Sequence, residues 1–214
     1  MNLVDGLKRI DRAVFPDLLV KGLAAELKGM ATVLDVGCGA GGPMLNVPKP
    51  SRLVGVDAFG PSLEALAARG VYDQLVQGII GQVDLGAEGF DAVVCLDVIE
   101  HFDKAEALAL VARLEGLGRR KVILATPNGF QPQSPVDGNP FQEHKCGFCV
   151  DELWGLGYRV RGYGGPRPLR GEFSELRFWP KPLWHRISGA LQPITWRWPQ
   201  GAFGLLAVKD LGAR

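Results

Sequence analysis

Short apolar runs alternate with helical patterns along most of the chain. Seven runs have the length of a strand, and the central ones are apolar at nearly every position, as in buried parallel strands. These runs span 32–36, 53–56, 75–77, 90–96, 121–125, 158–163 and 202–209. Apolar residues at helical spacing, capping residues and a proline–glycine pair predict helices over 17–28, 60–69 and 103–117. The alternation predicts an α/β, Rossmann-like fold with a mostly parallel sheet.

Length and composition predict one domain. A chain of 214 residues that is 47% hydrophobic can bury one sizeable core, so residues 1–214 are interpreted as a single domain. Residues 166–200 form an insertion rich in tryptophan and proline before the last strand, and 178–199 hold four of the five tryptophans. We expect this segment to act as a lid or a homodimer surface. Contact with a membrane interface is the alternative, although the prolines argue against one continuous amphipathic helix there.

The charge balance argues against a partner that is bound through the net charge of the whole chain. Lys and Arg number 24 against 23 Asp and Glu, which gives a net charge of +1 and no global attraction for nucleic acid. The basic residues are scattered, so a nucleic-acid partner is disfavoured. No run resembles a signal peptide or a membrane span, which predicts a cytoplasmic protein.

A glycine-rich turn follows the first predicted strand. In VLDVGCGAGG (33–42), the side chains missing at Gly37, Gly39 and Gly41 allow backbone amides to approach a ligand where the next helix is expected to begin. Asp57 ends the second strand, where a carboxylate can accept hydrogen bonds from both hydroxyls of an adenosine ribose. The motif therefore predicts a nucleoside-containing cofactor.

Asp35 distinguishes between two possible cofactors that the glycine spacing alone does not distinguish. Gly37, Gly39 and Gly42 also fit the dinucleotide pattern, so an NAD-dependent oxidoreductase is a rival interpretation. An anion at Asp35 would face the pyrophosphate of NAD, whereas S-adenosylmethionine (SAM) has a cationic amino group in that region. The acidic residue therefore favours SAM.

The chain resembles the class I SAM-dependent methyltransferases over about residues 30–165. The segments that carry the likeness are VLDVGCG, VGVD and FDAVVCLDVIEH. TPNGF (126–130), DGNPFQEH (137–144) and LRGE (169–172) are similar to a bacterial and archaeal branch of that family. The resemblance implies a seven-stranded sheet with an antiparallel last strand, and cofactor contacts at Asp35, Gly37, Gly39 and Asp57.

One position departs from the family pattern. The resemblance places an acidic residue for the adenine amino group at position 79, which is Ile79 in this chain. We expect Asp84 to substitute for it through a loop shift, unless backbone groups alone contact the adenine.

Polar residues follow the fourth predicted strand. Asp97 is assigned to the cofactor, and Glu100, His101 and the later His144 are the candidate catalytic residues. Three interpretations remain open: the pair Glu100 and His101 only caps the strand, one histidine is a general base, or the three residues bind a divalent metal. The third resembles the metal cluster of small-RNA 2'-O-methyltransferases and of some quinone O-methyltransferases. The sequence alone assigns no residue as a metal ligand.

These features predict a SAM-dependent methyltransferase with an unidentified acceptor. No NPPY-like motif follows the fourth strand, so methylation of nucleic-acid bases is disfavoured. A small-molecule or lipid- or sugar-linked acceptor, methylated on oxygen, is the favoured partner. A non-catalytic, methyltransferase-like binding module is a further alternative, but it would not need the polar cluster on the acceptor side.

Overall fold

The structure is a computed structural model that describes residues 17–80, 82–83, 85, 89–135 and 139–212. Asp84, the predicted adenine contact, lies outside the described residues, as does the start of the DGNPFQEH motif.

The centre of the fold is a seven-stranded sheet in the order β3-β2-β1-β4-β5-β7-β6. β1 to β5 pair in parallel, and β7 lies antiparallel between β5 and β6. The strands are β1 (Thr32–Val36), β2 (Arg52–Asp57), β3 (Gln74–Gln77), β4 (Phe90–Leu96), β5 (Gly118–Pro127), β6 (Arg159–Pro166) and β7 (Ala202–Asp210). The predicted Rossmann-like fold with an antiparallel last strand is confirmed.

Five α-helices accompany the sheet in the described part of the chain. They are α1 (Leu18–Glu26), α2 (Gly60–Ala67), α3 (Lys104–Leu117), α4 (Val150–Gly155) and α5 (Lys181–Arg197). The predicted starts of two helices are confirmed: the Asp17 carboxylate accepts from the amide of Leu19 at 3.0 Å, and Asp103 forms a capping box with Glu106. These caps fix where the two helices begin.

The sheet is covered on both faces. One apolar core lies between the sheet and α3 and α4, and a second lies between the opposite face and α1. β1 and β4 supply residues to both cores, which explains why these strands are apolar at successive positions. Burial on both faces leaves the carboxyl ends of β1, β2 and β4 as the place where polar groups can gather.

The helix α5 corrects one expectation from the sequence. Residues 181–197 form a continuous 17-residue helix in spite of their prolines. Pro182 lies in the first turn, where no intrahelical N–H bond is lost, and only Pro193 interrupts the ladder. Ser188 and Thr195 of this helix are buried, so the segment packs on the domain. No helix in the described ranges is long and apolar enough to cross a membrane.

Candidate active site

The turn after β1 requires glycine at its first position. Gly37 has a φ of 71°, and a Cβ built there would lie 2.2 Å from Cγ2 of Val98. Gly39 has a φ of 48° and faces open space. Both residues line the larger of the two cavities described here, so this backbone is open to a ligand, as the sequence predicted.

The segment that follows the glycines differs from the prediction. No α-helix begins there, because Gly42–Asn46 form a short 3-10 helix that leads to β2. Gly41 is not in the cavity wall. It has a φ of 103°, and a Cβ on it would lie 2.6 Å from Leu45. Gly41 is therefore needed for the turn itself, and its contact with the cofactor stays a prediction.

Asp57 connects the glycine turn to the end of β2. Its Oδ2 accepts from the amide of Gly39 at 2.7 Å, and its Oδ1 accepts from the amide of Phe59 at 2.8 Å. The carboxylate also lines the larger cavity. Asp57 thus holds the loop in place and presents negative charge to the cavity, at the position that the sequence predicted.

Asp35 lies behind the loop and not in the cavity. Its side chain is buried in β1, and its Oδ2 accepts a hydrogen bond of 2.5 Å from the hydroxyl of Tyr72. Burial raises the pKa of Asp35 to about 7, although the Tyr72 hydrogen bond opposes this shift and the charge of Asp57 adds to it. The direct contact of Asp35 with the cofactor stays a prediction, since the partner that the structure shows for its carboxylate is Tyr72. Tyr72 is a partner that sequence spacing did not identify.

The larger cavity, of about 430 Å³, has polar and apolar regions. Asp57 and Asp97 supply carboxylates, whereas Ile79, Ile80 and Phe102 supply apolar walls. We call it the cofactor cavity. The position where the family pattern places an acid is thus an apolar wall in this chain.

A second cavity, of about 340 Å³, adjoins the first. Asp97, His101 and Gln142 line both cavities, so the two spaces meet at the ends of β4 and the following turn. We call the second space the acceptor cavity, after the role that we propose for it below. Its wall comprises Asp97, Glu100, His101, Pro127, Gln131, Pro132, Gln133, Gln142, His144, Tyr163, Gly171, Glu172, Phe173, Ser174 and Phe203.

His101 and His144 converge in this wall, as predicted. Their ring centroids are 4.9 Å apart and their planes cross at 62°. His101 belongs to a short 3-10 helix, Ile99–His101, and His144 arrives from the loop before α4. A potential ligand atom from each of Glu100, His101 and His144 lies within 4.8 Å of the other two.

Glu100 is a buried acid where the turn after β4 meets the loop that carries His144. It is 1% exposed, and its Oε2 accepts from the hydroxyl of Thr126 at 3.1 Å. Burial raises the pKa of Glu100 well above its usual range, and the charge of Asp97 raises it further. Backbone amides of Lys145 and Cys146 donate to the carbonyl of Glu100, which ties the His144 segment to the turn after β4.

Asp97 is held in an uncommon backbone conformation. Its φ is 52°, and its amide donates to the carbonyl of Ala125 at 2.8 Å. Its Oδ1 accepts from the hydroxyl of Tyr163 at 3.2 Å. Left-handed geometry at a residue other than glycine is concentrated at functional sites, and here it directs a carboxylate to the wall between the two cavities.

The insertion contributes to the acceptor cavity through its first part. Arg170 donates to the backbone carbonyl and hydroxyl of Ser174 at 2.7 and 3.1 Å and also to the carbonyl of Gly164. This clamp fixes the turn that carries Phe173, which has a φ of 53°. None of residues 178–199 lines either of these two cavities, and a lid role for the tryptophans stays a prediction.

The tryptophan side chains of residues 178–199 differ in their surroundings. Trp196 packs against the core beside α1, whereas Trp179 and Trp198 are 82% and 63% exposed. A homodimer or membrane contact through 178–199 stays a prediction. Sequence reasoning also missed Tyr163, Phe173 and Phe203 as cavity residues, because none belongs to a motif.

Comparisons with known proteins agree with this architecture. Residues 34–115 match a family model described as a methyltransferase domain. A relative from Synechocystis, magnesium-protoporphyrin O-methyltransferase, is 29% identical over 132 residues, which are 58% of this chain and 57% of the relative. The chain thus spans little more than half the length of that protein.

Solved structures show the same fold. The methyltransferase domain of a bacterial Hen1, CtHen1, aligns with a TM-score of 0.56 and 21% identity over 91% of this chain and 97% of that one. The plantazolicin methyltransferase BpumL, solved with S-adenosylhomocysteine (SAH), aligns with a TM-score of 0.53 and 14% identity over 95% and 83% of the two chains. The chain therefore has the fold of SAM-dependent methyltransferases, and its family match covers the turn after β1 and the ends of β2 and β4, which line part of the cofactor cavity.

Proposed function

We propose that this chain is a SAM-dependent methyltransferase that methylates an oxygen atom of an uncharged or cationic small molecule. The observation that carries the proposal is the meeting of two cavities at Asp97 and His101. Methyl transfer needs a donor and an acceptor aligned on either side of one methyl carbon. Two adjoining spaces with a shared polar wall suit this requirement.

The cofactor cavity suits SAM in each of its regions. Asp57 would accept hydrogen bonds from the ribose hydroxyls, and Ile79 and Ile80 would cover the adenine through apolar contact. Gly37 and Gly39 would allow the methionine part to approach the backbone. Asp97 would offset the positive charge of the ammonium or sulfonium group. The family match over residues 34–115 supports this assignment.

The segment after β1 argues against the nicotinamide alternative. A dinucleotide places its pyrophosphate at the N-terminus of the α-helix that follows the glycine turn. In this chain the turn leads into the 3-10 helix Gly42–Asn46 and then directly to β2. A pyrophosphate would lack the helix dipole that normally stabilises it, whereas SAM has no phosphate to stabilise.

The acceptor cavity suggests the charge and shape of the acceptor. Asp97, Glu100 and Glu172 are acidic, and the described wall contains no Lys or Arg. A carboxylate or phosphate on the acceptor would therefore meet like charge, with no cationic side chain in the described wall to pair with it. Tyr163, Phe173 and Phe203 offer aromatic surface for a flat, apolar body. A small hydroxylated aromatic molecule fits this wall.

The chemistry follows from the shared wall. The acceptor oxygen attacks the methyl carbon of SAM, the carbon–sulfur bond breaks, and its electron pair stays on sulfur to give SAH. The hydroxyl proton leaves to a base or to solvent, and His101 and His144 line the acceptor cavity, where they would accept it or hold a cation that lowers the pKa of the hydroxyl. Asp97 and the glycine turn hold the donor, and Arg170 fixes the turn of Phe173 that covers the acceptor.

Transfer of labelled methyl groups tests this function. SAM labelled on its methyl group would be incubated with neutral phenols and catechols, amine-bearing phenols and matched phenols that carry a carboxylate. We expect O-methyl ethers from the first two groups, with kcat/KM at least about tenfold above the carboxylate series, since one unpaired like-charge contact costs more than about 1.4 kcal/mol. A preference for the carboxylate series, or methylation on nitrogen alone, would contradict the proposal.

A further inference from the structure

Glu100, His101 and His144 form a cluster in which each side chain has a hydrogen-bond acceptor atom without a donor among the described residues. The two imidazoles lie edge to face with centroids 4.9 Å apart, and Glu100 lies beside them. All three line the acceptor cavity, and of the three only His101 also lines the cofactor cavity. The cluster therefore has access to whatever occupies the acceptor space.

Backbone carbonyls fix the tautomer of both histidines. Nδ1 of His101 lies 3.0 Å from the carbonyl of Glu143, and Nδ1 of His144 lies 2.7 Å from the carbonyl of Gln131. A carbonyl oxygen only accepts, so each Nδ1 must carry the hydrogen. Each neutral ring then has a free lone pair on Nε2, in the arrangement that metal-binding histidines use to fix their orientation.

The third member of the cluster also has a free acceptor. Glu100 is buried, and although Thr126 donates to its Oε2, its Oε1 has no hydrogen-bond partner among the described residues. A buried carboxylate oxygen without a partner is costly, and most such atoms in proteins are satisfied. With Glu100 in its carboxylate form, the cluster thus offers three electron-pair donors directed to one space.

A cation satisfies all three atoms at once. Two imidazole nitrogens and one carboxylate oxygen bind Zn²⁺, Mn²⁺, Fe²⁺ or Co²⁺ in preference to Ca²⁺ or Mg²⁺, which favour oxygen. The ligand atoms lie within 4.8 Å of one another. Bonds of about 2.0–2.2 Å to one ion require separations of roughly 3–4 Å, so closure needs side-chain movement of about 1 Å.

We propose that Glu100, His101 and His144 bind one divalent transition-metal ion in the wall of the acceptor cavity. Three protein ligands leave coordination positions open, and the acceptor cavity is the space next to them. An ion there would lower the pKa of an acceptor hydroxyl, and this catalytic part of the proposal rests on the proposed methyltransferase function. The binding part stands without it.

The first test is metal binding by a tag-free protein without SAM or acceptor. After treatment with chelator and dialysis, the chain would be titrated with Mn²⁺ by electron paramagnetic resonance and with Co²⁺ by visible absorption. We expect one ion per chain and at least about tenfold weaker binding in His144→Asn and in Glu100→Gln. His185→Asn is the matched control, because His185 is exposed on α5 away from the cavities and should leave binding unchanged.

Two results would overturn the site: no stoichiometric binding in the wild type, or equal affinity in the wild type and both site variants. Circular dichroism and SAM calorimetry on the variants show that their folds and donor cavities are intact. Loss of methyl transfer on chelation with return on Mn²⁺ supports the catalytic part. Full methyl transfer by metal-free enzyme refutes the metal's role and leaves the methyltransferase function standing, whereas ion binding without methyl transfer from SAM to any acceptor refutes the proposed function and leaves the site standing.

Discussion

Replacing Asp57 by alanine is expected to weaken SAM binding by about two orders of magnitude or more. The carboxylate holds the amides of Gly39 and Phe59 at 2.7 and 2.8 Å and lines the cofactor cavity. The variant would lose the charged acceptor for the ribose hydroxyls and the anchor of the glycine turn. Two bonds to a charged group contribute about 1.5–3 kcal/mol each, and about 1.4 kcal/mol corresponds to a tenfold change in Kd. Calorimetric titration with SAM measures this loss.

Asp91→Ala is the matched control for Asp57→Ala. Asp91 also accepts from two backbone amides, those of Ala31 and Thr32 at 2.8 and 3.1 Å, but it lies at the amino end of β4, on the opposite edge of the sheet. This variant should unfold more readily and bind SAM as the wild type does. A Kd for Asp57→Ala within about threefold of the wild type would remove Asp57 from the binding site.

Replacing Asp35 by asparagine is expected to stabilise the ligand-free protein increasingly as pH rises. The folded-state pKa of Asp35 is about 7 against an ordinary value of 3.8, because the carboxylate is buried. Between these values the folded state binds the proton more tightly, so the wild type loses stability as pH rises toward 7. Asparagine cannot ionise and can still accept from Tyr72. The stability of Asp35→Asn relative to the wild type should therefore increase by about 2–3 kcal/mol from pH 5 to pH 8.

Urea unfolding at pH 5, 6.5 and 8 measures this difference. Asp91→Asn serves as the control of opposite sign, because the amides of Thr32 and Ala31 lower the pKa of Asp91 although its partial burial raises it. A lowered pKa confers stability that is lost only as pH falls through it, so the deficit of Asp91→Asn should be constant from pH 5 to pH 8. A difference between Asp35→Asn and the wild type that does not vary with pH would show that Asp35 is not a buried, titrating acid.

The sheet could be predicted from the sequence because each of its central strands is a short, continuous apolar run. β1 and β4 are buried on both faces, so their apolar runs begin and end where the strands do. The helix α5 could not be predicted in the same way. Its two prolines are unfavourable by local propensity, and packing of the helix on the domain, with Trp196 against the core beside α1, overrides this preference.

Part of the candidate site could likewise be predicted from the sequence, and part of it could not. Gly37, Asp57 and His101 each lie at or just after the end of a parallel strand. Their position at the carboxyl edge of the sheet could therefore be predicted from the strand order and from the place of each motif in the sequence. The Asp35–Tyr72 bond joins residues 37 positions apart, and the clamp of Arg170 on its turn depends on side-chain conformation. Neither has a spacing or periodicity that a sequence pattern can reveal. The convergence of His101 and His144 could be predicted because both follow connections at the carboxyl edge.

Calorimetric titration of the wild-type chain with SAM and, separately, with NAD⁺ tests the central claim most directly. If the space between Gly37, Asp57 and Ile79 is a donor site for methyl transfer, SAM and SAH will each bind at one site per chain and NAD⁺ will not compete with them. Saturable binding of NAD⁺ at one site, with no heat from SAM or SAH, would contradict the account.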